Sequence, residues 1–467
     1  MPEKYHINTK PVPPRCPRIG KFGVVDWRED CARCHNCVKK ACVYDRYRQE
    51  AEYIRNLSDV DALFFDCMGC LYCVQNCTKG LLRLTVNPVY EGLGNEYWTP
   101  EIIQTTWMQA ETAKIPVSGA GYRGRFSGPG FDSMWTDMSE IVRPTRDGIH
   151  GREYISTAVD IGRKLPFLSF EDKEKAVANP PLVAIPMPLI IDTASEKYSL
   201  PELGPILRET AKRTGLIAIT DSKQWPFMDD NKEQEFSHIA FHLDPDAPQP
   251  PKEILARTKL VQIPDGPKVI EKIKELKKDF PEIVISVKVT MDSNGCERAI
   301  ELAGLPEIEV IHAAADLNGD EIGTKNPRFI KDMIREIHTT LVEKGNRDEI
   351  TLIASGGIAL AEHLAKIMIC GADLAAINLP LLIALECLLC NSCKPSMTCP
   401  AKLENIDFEY GAGRMTNLIS AWHDQLIEVM GAMGMREARR LRGDVGRGMF
   451  FEQLEEETFG KLFGTKK

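Results

Sequence analysis

No apolar run in this 467-residue chain approaches the ~18 residues that a membrane-spanning helix requires. The first ten residues, Met1–Lys10, are polar and hold no signal-peptide core, which predicts a cytoplasmic protein. Positive charge is in deficit: 58 Lys and Arg stand against 67 Asp and Glu, a net −9. That balance argues against a nucleic-acid or anionic-membrane surface. No Gly-x-Gly-x-x-Gly follows a strand pattern, so NAD(P)H is not expected to bind the chain directly. Aromatics are sparse at 7%, yet 43% of residues are apolar and 27% charged, the make-up of an ordinary folded protein. At roughly 150 residues per domain, the length predicts two to four units.

Cysteine, by contrast, is plentiful and grouped. Of fifteen cysteines, four lie at Cys31, Cys34, Cys37 and Cys42, four at Cys67, Cys70, Cys73 and Cys77, and four at Cys387, Cys390, Cys393 and Cys399. Each group opens Cys-x2-Cys-x2-Cys and adds a fourth thiol, the spacing of ferredoxin-type [4Fe-4S] sites. Short x2 loops turn three thiolates towards one cluster, and the fourth closes it. Zinc is the competing reading, although structural zinc favours two separated Cys-x2-Cys pairs. Disulfides are the blander alternative and do not suit a reducing compartment. The two N-terminal groups read as one two-cluster module, in which the fourth cysteine serves the other cluster. Cys42 is then expected with Cys67, Cys70 and Cys73, and Cys77 with Cys31, Cys34 and Cys37. The segment between them is long and reads as an inserted helix over Arg46–Arg55; Val43 and Thr78 replace the proline common after the fourth cysteine. Cys16, Cys296 and Cys370 read as ordinary thiols.

The chain divides by pattern. Residues 1–90 form the ferredoxin-like module, and 91–180 a Gly/Pro-rich connecting segment. Within the latter, the glycine-dense run Ser118–Gly130 reads equally as a linker or as backbone approaching a ligand. Residues 181–400 alternate apolar runs with helical patterns, and 401–467 form a helical extension, amphipathic over Leu426–Arg442. The strand candidates are Val183–Met187, Leu216–Thr220, His238–Leu243, Lys259–Ile263, Ile283–Thr290, Glu309–Ala314, Thr351–Ala354 and Leu374–Asn378. Helix patterns lie over Pro201–Arg213, Pro267–Asp279, Pro327–Glu343 and Leu360–Cys370. Eight such strands predict an α/β fold, a (β/α)8 TIM barrel, with an open doubly wound sheet as the alternative. In a barrel, functional groups sit at the strands' carboxyl ends. Ser355, Gly356 and Gly357 after strand seven, with Asn378 after strand eight, would cradle a phosphate at a helix start. Lys288 ends an apolar strand, where a lysine needs a partner; beside a flavin it would stabilise the reduced ring, and a structural carboxylate is the other candidate. His242, Asp244, His312 and Asp316 also fall at strand ends.

These residues resemble a known family. Ile285–Val289 (ISVKV), Ala354–Ile358 (ASGGI), Gly371-Ala-Asp373, Leu382–Cys387 leading to Cys399-Pro400, and Gly431–Met435 before Arg436 resemble the FMN-binding central domain of glutamate synthase. The similarity spans about residues 120–445, and the N-terminal module resembles that of archaeal-type large subunits. The resemblance implies FMN on the barrel, held by Lys288, Ser355, Gly356, Gly357 and Asn378, with Lys288 catalytic. It also implies a cluster after strand eight. The family's cluster there is three-iron, with Cys387, Cys393 and Cys399 as counterparts; Cys390 adds a fourth thiol and suggests four irons. The chain departs from the family after strand one (Pro186–Ile191), after strand three, where Asp244 replaces a substrate-binding lysine, and after strand six (Ala315–Asp320). No glutaminase domain is present.

The expectation is an iron–sulfur flavoprotein oxidoreductase that does not act on 2-oxoglutarate, fed by ferredoxin or a larger redox complex in which the chain is a subunit or oligomer. The alternatives are a non-catalytic electron-relay subunit and an archaeal-type glutamate synthase.

Overall fold

The computed structural model describes residues 5–17, 19–26, 34, 42–44, 67–115, 128–136, 154–165, 167, 170–172, 175–176, 180–192, 203–222, 236–244, 249–390, 393 and 399–464. The chain folds as two compact units. One comprises Pro14–Ile103 with Leu388–Ser392, the other Met1–Pro13, Gln104–Cys387 and Cys393–Lys467.

The larger unit is built on a closed, parallel eight-stranded barrel. Its strands are β1 (Leu189–Ile191), β2 (Ala218–Asp221), β3 (Ile239–His242), β4 (Leu260–Pro264), β5 (Val284–Thr290), β6 (Val310–Ala314), β7 (Thr351–Ser355) and β8 (Leu374–Ile377). β8 returns to β1 through Ala375↔Leu189, Ala376↔Ile190 and Ile377↔Ile191, which closes the ring. β1, β6, β7 and β8 are buried at every position. That is the mark of strands covered on both faces, and it is why they read as unbroken apolar runs rather than alternating ones.

Helices fill the connections: α1 (Leu203–Thr214) after β1, α2 (Lys252–Leu255) after β3, α3 (Val269–Asp279) after β4, α4 (Gly295–Ala303) after β5, α5 (Ile330–Glu343) after β6, α6 (Ala361–Ile369) after β7 and α7 (Leu379–Ala384) after β8. In α5 the buried residues Ile330, Met333, Ile334, Ile337 and Leu341 recur at helical spacing and face the strands. Seven of the eight barrel strands and the four expected helices agree with the sequence reading to within three residues at their ends.

Two expectations are corrected. The first barrel strand is not Val183–Met187. Val183–Ile185 pairs antiparallel with Val159–Ile161, outside the barrel, and alternates buried–exposed–buried. The barrel strand starts after Pro188, whose carbonyl accepts from Ala375 N at 3.1 Å. Proline has no N–H to give a ladder and is tolerated just before a strand. Consequently much of Pro186–Ile191 is the strand itself, and the loop after strand one begins at Asp192. The second correction concerns the C-terminal helix, which runs over Phe408–Ala432 (α8) rather than Leu426–Arg442. It is capped by Asp407, which accepts from Tyr410 N at 2.8 Å, and the chain turns at Gly434 with φ +73°. α8 packs along α1 and α6.

In the smaller unit, Phe22–Asp26 pairs antiparallel with Leu82–Val86, and a short helix spans Tyr72–Asn76. The expected insert helix Arg46–Arg55 lies outside the described residues, as do Cys31, Cys37 and most of Ser118–Gly130. Among the described residues no helix is long and apolar enough to cross a membrane.

Candidate functional site at the carboxyl end of the barrel

Every strand of a parallel barrel points its carboxyl end to the same mouth, so polar side chains at those ends converge. Lys288, on β5, donates from Nζ to Asp192 Oδ2 at 2.9 Å. Asp192 directly follows β1, so the pair spans the mouth. It is asymmetric: the Lys288 side chain is 29% exposed and that of Asp192 only 2%. Burial raises the Asp192 pKa, and the Lys288 charge and hydrogen bond lead the opposing effects that leave the carboxyl below its ordinary value. Its second oxygen, Oδ1, is buried without a hydrogen-bond partner among the described residues.

A second polar chain crosses the barrel interior. Ser355 Oγ on β7 lies 2.8 Å from His312 Nε2 on β6. His312 Nδ1 lies 2.7 Å from Gln262 Oε1 on β4. Gln262 Nε2 lies 3.0 Å from His242 Nδ1 on β3. An amide oxygen only accepts and an amide nitrogen only donates, so this orientation runs one way. Gln262 donates to His242 and accepts from His312, and His312 Nε2 is left to accept from Ser355. His242 is then protonated on Nε2 and His312 on Nδ1. Burial, with Lys288 second, pushes His312 down to about 3 and His242 below its usual value. Both rings are neutral, and the ammonium beside them is the reason beyond burial.

The Ser355-Gly356-Gly357 turn joins β7 to α6. Gly356 and Gly357 have φ of +100° and +67°. A Cβ on Gly356 would run into Asp316 O, and one on Gly357 would lie 2.6 Å from Asn318 O. The glycines therefore seat this turn against the loop after β6, which is pinned by Asn318 N and Asp320 N, each donating to Asp316 Oδ1 at 2.8 Å. Asn378 is the N-cap of α7, its side chain accepting from Leu379 N. The structure thus gives each of the expected cradle residues a packing or capping task of its own. Asp244 follows β3, close enough to His242 for its charge to raise that ring's pKa.

In the smaller unit, Cys73 is buried with Leu82, and Cys42, Cys67 and Cys77 pack against them. Burial and then Cys67 push the Cys73 thiol up to about 11, with Cys70 and Cys42 adding to it. Cys34 Sγ stands instead 3.6 Å from Thr78 Oγ1, next to Cys77. Cys77 packs in the same cluster as Cys42, Cys67 and Cys73, so the described residues do not separate the two expected ligand sets. Gly69 N donates to Cys67 Sγ at 3.4 Å and Leu81 N to Cys77 Sγ at 3.3 Å. Such backbone donors favour thiolates. Gly69 and Leu71, between successive cysteines, have φ of +69° and +61°. Among the described residues no three metal-ligating side chains close on one point. Of the third group, Cys387 is buried, Cys390 and Cys393 are exposed and Cys399 is intermediate. Glu386 and Leu389 on either side of Cys387 also have positive φ, +73° and +50°. Non-glycine residues in that region are strained and persist only where the surrounding structure holds the backbone.

Over residues 249–436 the chain matches the family described as a conserved region in glutamate synthase. That region, and the relatives that match most of the chain, make it similar to glutamate synthases. An archaeal-type glutamate synthase [NADPH] of Dehalococcoides mccartyi is 24% identical to it over 92% of this chain and 96% of its own length. An archaeal glutamate synthase [NADPH] of Archaeoglobus fulgidus is 23% identical over 94% and 96%. One from Methanocaldococcus jannaschii reaches 34%, but over 28% of each chain. The glutamate synthase region contains β4 to β8, and with them Gln262, Lys288, His312 and the Ser355-Gly-Gly turn. Asp192 and His242 lie outside it. Sequence reasoning missed Asp192 and Gln262. Asp192 was hidden by the misplaced first strand. Gln262 stood in plain view as the one polar residue in Leu260–Ile263, a signal of the same kind as Lys288.

Proposed function

We propose that this chain is an iron–sulfur flavoprotein oxidoreductase that passes electrons between cysteine-held clusters and FMN on the barrel. The observation that carries the reading is the Lys288–Asp192 pair at the mouth, a partly exposed ammonium backed by a buried carboxylate. The site fits a flavin phosphate ester. Lys288 offers a cation to the ring, Gly356 and the start of α6 offer backbone N–H groups to the phosphate, Ser355 and Gly357 seat that turn against the loop after β6, and Asn378 flanks them. FMN would supply the exchange between one-electron carriers and a two-electron substrate. The protein's own contribution is to fix Lys288 through Asp192 and to keep His312 and His242 uncharged through Gln262. The His242 Nε2–H then stands at the mouth as a neutral donor.

Cys31, Cys34, Cys37 and Cys77 would hold one [4Fe-4S] cluster, and Cys42, Cys67, Cys70 and Cys73 the second. Cys387, Cys390, Cys393 and Cys399 would hold a third, four-iron unless Cys390 stands aside and leaves a three-iron one. The left-handed residues within the x2 loops and the N–H donors to Cys67 and Cys77 support this assignment. Electrons would come from ferredoxin or a partner subunit. Asp244 near His242 disfavours a dicarboxylate at this mouth, so 2-oxoglutarate is not the proposed substrate.

A relay subunit without flavin is the second reading. It is favoured by the packing and capping tasks already given to Gly356, Gly357 and Asn378. The relatives' names favour the third, glutamate synthesis. Cofactor analysis of anaerobically purified protein tests all three. About twelve irons, four for each group of four cysteines, with one FMN and no glutamate formed from 2-oxoglutarate, is the expected result. Iron without flavin would leave the relay, and glutamate formation with reduced ferredoxin would make the chain a synthase.

A further inference from the structure

Lys288 does not act at the mouth as a free cation. Its ammonium touches the Asp192 carboxylate at 2.9 Å, with the anion sealed behind and the cation partly open in front. Seen from the mouth, such a pair is a dipole, and its field falls off faster than that of a lone charge. The neighbouring rings add no positive charge, because His242 and His312 are locked in neutral form by Gln262 and Ser355. An aspartate placed behind a ligand-facing lysine sets how much positive charge a ligand feels.

We propose that Asp192 is a positioning residue that sets the reduction potential of the bound flavin. It holds the Lys288 ammonium in place and cancels part of its charge. The inference rests on the flavin reading above. Two electrons and one proton added to the oxidised ring leave it with one negative charge; the electrons come from one-electron donors of the iron–sulfur class. A full ammonium stabilises that charge strongly, and a half-cancelled one stabilises it less. Asp192 therefore lowers the potential and matches the flavin to low-potential cluster donors. The same logic governs sulfite, which forms a bond to the oxidised ring with its own electron pair and leaves the ring negative.

The test uses the full chain, purified anaerobically with its clusters and flavin. Flavin potential is measured by redox titration, and the affinity for sulfite by bleaching of the oxidised flavin. Asp192→Asn keeps the shape and removes the charge. It is expected to tighten sulfite at least tenfold and to raise the potential by about 30 mV, the equivalent for a two-electron couple. Asp192→Glu keeps the charge and is expected to stay close to wild type. Lys288→Met is expected to weaken sulfite, and adding Asp192→Asn to it is expected to change little, because the aspartate acts through the lysine. Where Asp192→Asn does not fold, Asp192→Ser also removes the charge and takes its place. An unchanged potential and sulfite affinity in the charge-removing variant, with flavin bound, overturns the proposal and leaves the flavin reading intact. So does an equal rise in Asp192→Glu. A wild-type protein with iron and no flavin overturns the flavin reading instead.

Discussion

At the scale of single residues, the barrel interior is held by a polar thread rather than by apolar packing alone. Gln262 is its centre: its two amide atoms serve two histidines on different strands. Gln262→Leu fills the space but strands His242 Nδ1 and His312 Nδ1, and unmet buried polar groups cost about 1–3 kcal/mol each. The expected loss is therefore roughly 2–6 kcal/mol, read as a lower urea midpoint at pH 7. His312 makes a second, pH-dependent prediction. Its folded pKa is about 3, well below the ordinary 6.5. Between those values the unfolded chain binds a proton that the folded chain refuses, so stability falls as pH drops through that window. The full effect is on the order of 5 kcal/mol. His312→Gln, which keeps a donor and an acceptor, is expected to lose some stability at pH 7. It should also flatten the decline of the urea midpoint between pH 6.5 and 4; an unaltered slope would contradict the neutral assignment. How far such residues are legible in a sequence depends on contrast. Lys288 and Gln262 stand out as polar breaks in apolar strands. The partner of Lys288 does not, because Asp192 follows a strand that the two prolines at 186 and 188 disguise.

At the scale of elements, seven of the eight barrel strands are readable because burial on both faces leaves little but apolar residues in them. The exception fails for a local reason: Val183–Ile185 and Leu189–Ile191 are both short apolar runs, and only the first alternates in burial once folded. The long helix α8 is less legible. Its amphipathic stretch is obvious near the C-terminus, while its first half reads as polar and glycine-containing. What holds that half is Arg414, fully buried. It donates to Ala384 O at 2.5 Å, Val12 O at 3.0 Å and Trp107 O at 3.3 Å, tying α7, the N-terminal strap and the Pro100–Thr112 helix to α8. The planar guanidinium fork spreads its donors to reach three separated carbonyls, whereas a lysine ammonium holds its three donors at one point. Arg414→Lys keeps the charge but serves one or two of them, and hydrogen bonds to charged groups contribute about 1.5–3 kcal/mol. A loss of roughly 3 kcal/mol or more is expected in thermal or urea unfolding. A loss below about 1 kcal/mol would show that water replaces the missing contacts.

At the scale of the whole molecule, the two units differ in what stabilises them. The barrel buries dozens of apolar side chains, enough for a core of its own. In the smaller unit, the cluster around the cysteines holds two buried residues, Cys73 and Leu82, with Cys42, Cys67, Val74, Cys77 and Leu84 packed against them. Buried thiols are poor substitutes for a hydrophobic core, and the Cys73 thiol resists ionisation in this setting. A metal that binds thiolates reverses that preference, and its binding free energy then becomes folding free energy. The two units should therefore part company when iron is removed. Anaerobic chelation, followed by hydrogen exchange along the chain, is expected to strip protection from the Phe22–Asp26 and Leu82–Val86 strands. The amides of β4 to β8 should stay protected. The Cys70→Ala variant should reproduce part of that loss without chelator. Equal loss of protection in both units would mean that the barrel depends on the clusters too. No loss in either would mean that the smaller unit stands on its packing alone, and the cluster assignment for its eight cysteines would fall with it.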